Sequence, residues 1–328
     1  VKRLGAVVLA AAMIVGAVVL RDRLDGSTPG SRDDGEPFRL RCATELAQVC
    51  EDLAAERDDL VVRTEDAGRT ADTLSALPDG DRADFDAWLV DGPWPQIVAD
   101  NRAFAGLDDG PLGEPSAVLA RSPALIVTAR SRSAELTSTC GGTLSWTCIG
   151  EQARAGLRVG LPTPERGDGL VVLAEATASY FGRTDYSSGD FEDPGFSGWF
   201  AGLTELSTQT ALGSQTPLAR ALAAAGTFSV VGALESQSAV LLRGRDGYVT
   251  TYPEPMVTAD VVLAPVAGIE SGDALVRVDA DLLAEQLAST GWRVEGQPAA
   301  DGVDTSVTLP DTANLPAPGV LQTLRELW

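Results

Sequence analysis

The chain has 328 residues, enough for two domains of ordinary size, and carries 47 acidic against 25 basic side chains for a formal net charge of −22. Such a surface repels nucleic acid, which removes that class of partner. There is no histidine, so Ser-His-Asp and Cys-His catalysis and most zinc sites are excluded, and no cofactor or metal site is expected.

The N-terminus reads as a targeting segment. Lys2 and Arg3 precede an unbroken apolar run from Leu4 to Leu20, and Arg21, Asp22 and Arg23 follow it. A run of that length is the minimum for a membrane span and slightly long for the core of a signal peptide. Residues 1–24 are therefore expected to be a single-pass anchor, with a cleaved signal as the alternative, and the basic start places the remainder outside the membrane. Asp25–Pro37 is rich in Gly, Ser, Pro and Asp and reads as a linker.

Strands and helices then alternate. Phe38–Cys42 reads as a strand, and Thr44 as the cap of a helix with Leu46, Val49 and Leu53 on its apolar face. Leu60–Arg63 is a second strand, and the polar loop Thr64–Arg69 leads into a helix through Thr70, Leu74 and Leu77. Phe85–Val90 is a third strand, ended by the turn Asp91-Gly92-Pro93-Trp94-Pro95. This alternation argues for a parallel sheet covered by helices. Ser116–Ala120 and Ala124–Ala129 are strand-like runs broken by Arg121-Ser122-Pro123, where the proline marks a passage from one domain to another.

Leu157–Gly169 is a short apolar run that ends in a Pro/Gly loop, and Leu170, Leu173, Ala174, Thr177, Ala178 and Phe181 follow at helical spacing up to Gly182. Asp168 is placed to cap that helix. The loop and the first helical turn would lie at the carboxyl end of a parallel sheet, where such sheets bind ligands. The glycine spacing is that of neither a Walker loop nor a dinucleotide fingerprint. Later, Trp199–Thr210 and Pro217–Ala225 look helical, Phe228–Val231 is a strand, and Ala233–Gln237 is a loop. Val249–Tyr252 and Ala259–Pro265 are strands, Asp279 caps a helix to Ser289, and Gly319–Trp328 closes the chain with a helical pattern.

Four cysteines, Cys42, Cys50, Cys140 and Cys148, suit an exported protein as disulfides, with three connectivities open and neighbour pairing the simplest. The pair Cys140/Cys148 brackets two glycines and is the easier to close; Cys42/Cys50 is tighter. The acidic clusters Asp84/Asp86/Asp91 and Asp185/Asp190/Asp193 have no spacing of a catalytic carboxylate pair, and the second reads as a solvated loop before it reads as a calcium site.

Taken in order, these elements resemble extracytoplasmic solute-binding proteins of the type II, molybdate/sulfate-like class. The resemblance rests on the Cys42-Ala43-Thr44-Glu45-Leu46 step, the loop Asp66-Ala67-Gly68-Arg69-Thr70 and the strand Ala83–Val90. It also rests on the crossover Arg121-Ser122-Pro123, the piece Leu157–Gly169, the step Phe228–Gln237, the return at Tyr252-Pro253-Glu254-Pro255 and the element Gly291-Trp292-Arg293. The acidity and the anchor resemble actinobacterial membrane-tethered relatives. The resemblance implies an α/β, two-lobed type II periplasmic-binding-protein-like fold with mixed, mostly parallel sheets and two interlobe crossovers. One lobe would comprise 38–122 and 253–328, and the other 123–252. It also implies a small-molecule ligand held in an interlobe cleft by Thr44, Glu45, Gly68, Arg69, Thr70, Asp91, Trp94, Ser122, Arg166, Gly167, Asp168 and Glu235. The implied partner is an ABC-type permease. The alternative is a membrane-tethered sensory or cell-envelope ectodomain that uses the same fold without transport. No motif of an enzyme is present.

Overall fold

β1 (Phe38–Ala43) alternates buried Phe38, Leu40 and Cys42 with half-buried Arg39 and Arg41, as a strand lying on a core must. It is the first strand of a computed structural model that describes residues 36–107, 110–210, 215–224 and 226–328, without the side chains of 208–210. The targeting segment 1–24 and most of the linker lie outside the described residues. Among the described residues no helix is long and apolar enough to cross a membrane.

A 3-10 turn at Thr44–Leu46 and α1 (Ala47–Glu56) follow β1. Thr44 is not the helix cap: its hydroxyl donates to Asp66 Oδ1 at 2.5 Å, across the strand ends. Next come β2 (Leu60–Glu65), α2 (Ala67–Ser75), β3 (Ala87–Asp91) and α3 (Pro93–Phe104). The second half of the chain contributes β8 (Thr258–Pro265), α10 (Ser271–Val278), α11 (Ala280–Ser289) and α12 (Pro318–Leu327) to the same layer. Asp279 caps α11 as expected, accepting from the Leu282 N–H at 3.2 Å.

Between these two parts run β4 (Ala120–Ala129), α4 (Arg130–Thr139), α5 (Trp146–Arg154), β5 (Val159–Gly160) and α6 (Gly167–Phe181). α7 (Pro194–Thr210), α8 (Pro217–Ala223), β6 (Val230–Leu234), α9 (Glu235–Leu241) and β7 (Tyr248–Thr251) complete that stretch. The residues expected as a loop at Ala233–Gln237 are the end of β6 and the start of α9.

The strands order as β2-β1-β3-β8-β4-β6-β5, with β7 beside β4. β1 is parallel to β2 and β3, and β5 is parallel to β6. The pairs β3–β8, β4–β8, β4–β6 and β4–β7 are antiparallel. The sheet is therefore mixed, and every antiparallel pair involves β4 or β8. β4 makes the first passage in one piece: Ala120–Pro123 pairs with β8, and Ala124–Thr128 with β6. Pro123 does not break the strand as the sequence suggested. It stands where the ladder changes partner, at a position where a missing N–H donor costs least. The chain returns between β7 and β8.

Both neighbour cysteine pairs are bonded, Cys42 to Cys50 with Cα atoms 6.6 Å apart and Cys140 to Cys148 at 5.6 Å. Asp185, Asp190 and Asp193 are consumed by local structure. Arg183 binds Asp185 and Asp190, Asp190 also accepts from the Ser187 N–H, and Asp193 accepts from the N–H groups of Gly195 and Phe196.

The helical spacing of Leu170, Leu173, Ala174, Thr177, Ala178 and Phe181 marks one apolar face of α6. In fact every residue from Gly167 to Ser179 is buried, because the helix packs against β4, β6 and β8 and against α5 and α12. Its apolar residues run round the whole helix, as in a helix of an interior, and its buried acids Asp168 and Glu175 accept from Arg166 and from the Trp146 indole. Gly182, at φ 66°, ends the helix. Its start requires Gly169: a Cβ there would lie 1.9 Å from the Thr163 carbonyl oxygen and 2.9 Å from that of Pro162. Both neighbours are backbone and cannot swing aside. Gly169→Ala is expected to cost about 1–3 kcal/mol in urea denaturation; an unchanged midpoint would mean that the loop before α6 is free to move.

Candidate functional site

Glu45 follows β1, Asp91 ends β3, Arg166–Asp168 follow β5, and Gln237 follows β6. All therefore lie at carboxyl ends of strands, where the loops of an α/β sheet are open to a ligand. The structure brings Glu45 and Asp91 from one lobe against Arg166, Gly167 and Asp168 from the other. The approach is close enough that a Cβ on Gly167 would lie 2.1 Å from Glu45 Oε1 and 2.4 Å from Asp91 Oδ2. Glycine is required here because backbone and carboxylates share the same space.

The electrostatics of this meeting point are uneven. Arg166 Nε donates to Asp168 Oδ1 at 2.8 Å and Nη2 to Oδ2 at 3.4 Å, and Gln237 Nε2 donates to the same carboxylate. Asp168, fully buried, is thus well supplied with donors. Burial opposes the charge on Arg166, but Asp168 and Glu45 beside it prevail and raise its pKa. Asp168 does not cap α6; Arg166 holds the cap position and Asp168 lies inside the first turn.

Glu45 and Asp91 have no such partner. All four of their carboxyl oxygens are shut off from solvent, and none accepts a hydrogen bond from another side chain of the described residues apart from what the two acids make with each other. The two carboxyl groups lie within hydrogen-bonding reach of one another, and the meeting raises Glu45. Burial, then the neighbouring Asp91, pushes Glu45 well above the usual carboxylate range. Burial likewise pushes Asp91 up to about 6, against the hydrogen bond from Glu45. Two acids in contact in a dry site cannot both ionise unaided. Among the described residues, no three His, Cys, Asp or Glu side chains are placed to hold a metal ion.

Beside Glu45 a cavity of about 420 Å³ opens between the lobes, lined among others by Gln48 and Asp52 on α1, Ser236 and Gln237 on α9, and Trp292. That volume lies in the range of small-ligand sites.

The remaining predicted residues lie along the same seam or outside it. Gly68 donates its N–H to the Glu165 carbonyl at 2.8 Å. Arg325 on α12 binds Glu165 (2.9 and 2.8 Å) and Asp72 (2.7 Å), and its guanidinium stacks 5.7 Å from the buried Trp94 ring. Trp94 is therefore a packing platform under an ion pair that joins the lobes. Thr70 donates to Glu65 at 2.9 Å, and Arg69 is exposed on α2. Ser122 Oγ accepts from the Ser236 N–H at 3.0 Å, at the passage of β4. Glu235 is held by Arg293 Nε at 2.6 Å and Nη2 at 2.8 Å, by Tyr252 Oη, and by the Asp304 N–H at 3.1 Å. Gln237, Glu165 and Arg325 were not singled out from the sequence, and Arg293 stood there only as part of the element Gly291-Trp292-Arg293. Gln237 stood two residues from the chosen Glu235, and its place on the inner face of α9 was hidden by reading that stretch as a loop.

No family model and no curated protein matches this sequence. Solved structures do match in fold. The periplasmic binding protein AfuA from Actinobacillus pleuropneumoniae, with exogenous fructose-6-phosphate bound, aligns with a TM-score of 0.58 at 12% identity over 90% of this chain and 98% of that chain. Iron-bound HitA from Pseudomonas aeruginosa aligns at 0.55 and 14% identity over 89% and 98%. The Trichodesmium protein FutA, in complex with iron and citrate, aligns at 0.53 and 10% identity over 88% and 96%. The chain has the two-lobed, mixed α/β fold of type II periplasmic binding proteins.

Proposed function

We propose that this chain is an extracytoplasmic solute-binding protein that closes its two lobes over a small solute and serves an ABC-type uptake system. The observation that carries this reading is the convergence of Glu45 and Asp91 from one lobe on Arg166–Asp168 from the other, at strand ends, beside an interlobe cavity. A site divided between lobes that are joined by two passages is built for closure around a ligand. Both disulfides suit an oxidising compartment outside the membrane, and the apolar run Leu4–Leu20 would tether the protein there.

The reading is tested by thermal unfolding of the purified chain against a panel of sugars, sugar phosphates, amino acids, anions and amines at millimolar concentration. A ligand at a hundred times its Kd stabilises the folded state by about 2.7 kcal/mol. At least one class is expected to raise the Tm, and Gly167→Val, which wedges a side chain between Glu45 and Asp91, is expected to abolish the rise while leaving a cooperative transition. A panel without any shift, or a shift that persists in Gly167→Val, contradicts the reading.

A further inference from the structure

We propose that the solute is an organic cation, with an ammonium group that sits against the paired carboxyls of Glu45 and Asp91; this rests on the binding reading above. The charge inventory of the meeting point is three carboxyl groups, Glu45, Asp91 and Asp168, against one guanidinium. Arg166 makes its ion pair with Asp168; its charge reaches Glu45 and Asp91, but neither of those acids has a cation as a hydrogen-bonded partner. Elsewhere among the described residues no buried acid is left so poor in partners. Asp86 binds Arg39, Glu235 binds Arg293, and Asp260 binds Arg121 and Thr258. Even Glu175, deep in α6, accepts from the Trp146 indole on one oxygen. Buried polar groups in folded proteins have partners, and two buried acids that have only each other to bond mark a missing one. Asp91 is fully buried and directed at the opposite lobe.

The chemistry of the missing partner follows from what the acids tolerate. An anion such as a phosphate ester would add charge of the same sign in a dry site. A neutral polyol supplies donors but no charge. An ammonium group supplies both donors and charge, and it needs only the two or three acceptors that the site offers. A bare metal ion needs more oxygens than are gathered there. The cavity beside Glu45, with Asp52 at its wall, gives the rest of such a molecule its space.

Binding of a cation displaces a proton from the pair. The groups facing the pair are Asp168 and Arg166 from the α6 side, with Asp66 acting on Arg166 from the loop before α2. Because Asp91 loses its proton only near pH 6 in the empty site, and Glu45 is raised as well, affinity is expected to rise about tenfold between pH 5 and pH 7.

The experiment is titration calorimetry of the full chain with four probes: putrescine, ethanolamine, glucose and glucose 6-phosphate. Each is run at pH 5 and pH 7, and at pH 5 in two buffers of different ionisation enthalpy. The expected result is binding of at least one of the two cations, release of about one proton at pH 5, and the tenfold rise with pH. Glu45→Gln and Asp91→Asn, each of which removes a buried charge and keeps the shape, are expected to weaken cation binding at least tenfold while retaining a cooperative thermal transition. Binding of glucose or glucose 6-phosphate but of neither cation overturns the proposal and leaves the solute-binding reading standing. Cation binding that survives both substitutions, or that releases no proton, also overturns it. Absence of binding by all four probes overturns the proposal, and the fate of the broader reading is then decided by the wider thermal panel.

Discussion

Arg293→Ala is expected to destabilise the protein by about 3–5 kcal/mol, the usual cost of leaving one half of a buried ion pair behind. The Glu235 side chain is 1% exposed and that of Arg293 15% exposed, so water cannot replace the guanidinium. Arg293 does more than neutralise Glu235. It also donates to the carbonyls of Val307 at 2.6 Å and Asp304 at 2.9 Å, and its backbone bridges Arg121 on β4. Glu235 in turn receives Tyr252 from the return passage. The pair thus ties α9 of one lobe to the tail of the other at the place where the chain crosses between them. Urea denaturation at pH 7 measures the loss. A double substitution, Arg293→Met with Glu235→Leu, is expected to recover most of it, because an apolar pair carries no desolvation penalty. A loss below 0.5 kcal/mol in the single variant, roughly the scatter of surface substitutions, would show that the pair does not bear on the hinge.

Asp91→Asn is expected to act in the opposite direction and to stabilise the empty protein by as much as about 3 kcal/mol above pH 7. The sign follows from proton binding. In the unfolded chain Asp91 titrates at its ordinary value; in the fold, burial pushes it up to about 6. Between those values the folded state holds a proton that the unfolded state has released, so stability is greatest at low pH and falls as the pH rises through the window. A difference of about two units corresponds to about 3 kcal/mol at 1.36 kcal/mol per unit. Glu45 and Glu175, both raised by burial, add to the same slope. Asparagine has no charge to desolvate and does not take part. Thermal unfolding from pH 4 to pH 8 checks this: the two proteins should converge at pH 4 and separate progressively toward pH 8, with the variant more stable. Parallel curves would contradict the description of Asp91 as a desolvated acid. An acid kept at this cost in stability, where asparagine would be cheaper, is what a binding site exacts from a fold.

The elements that could be read from the sequence are those whose signal is local. β1 shows its alternation in Phe38, Leu40 and Cys42, α11 shows its cap in Asp279, and α6 shows its stop in Gly182. The stretch Leu157–Gly169 was readable as a strand, a loop and a helix start, and the loop residues Glu45, Asp91 and Arg166–Asp168 were readable as strand-end residues. What could not be read is what each of them meets. Glu45 and Asp91 come together only when β1 and β3 pair, and Arg166–Asp168 reach them only when the lobes close. Arg293 lies 58 residues from Glu235 and Arg325 lies 160 from Glu165, distances over which no periodicity carries information. Pro123 misled for a related reason. A proline argues against a strand only where that strand needs its donor, and the change of ladder partner at 122–124 is a property of the sheet, absent from the local sequence.

Small-angle X-ray scattering of the chain, compared with that of Gly167→Trp, tests most directly whether Glu45 and Asp91 in one lobe and Gly167 in the other form a closable seam. An indole at position 167 has no space while the lobes touch, so the variant should scatter as a more open particle, with a larger radius of gyration and an unchanged far-ultraviolet circular dichroism spectrum. A Gly167→Trp protein with the dimensions and spectrum of the parent would contradict the seam, since the added ring would then have found room without parting the lobes.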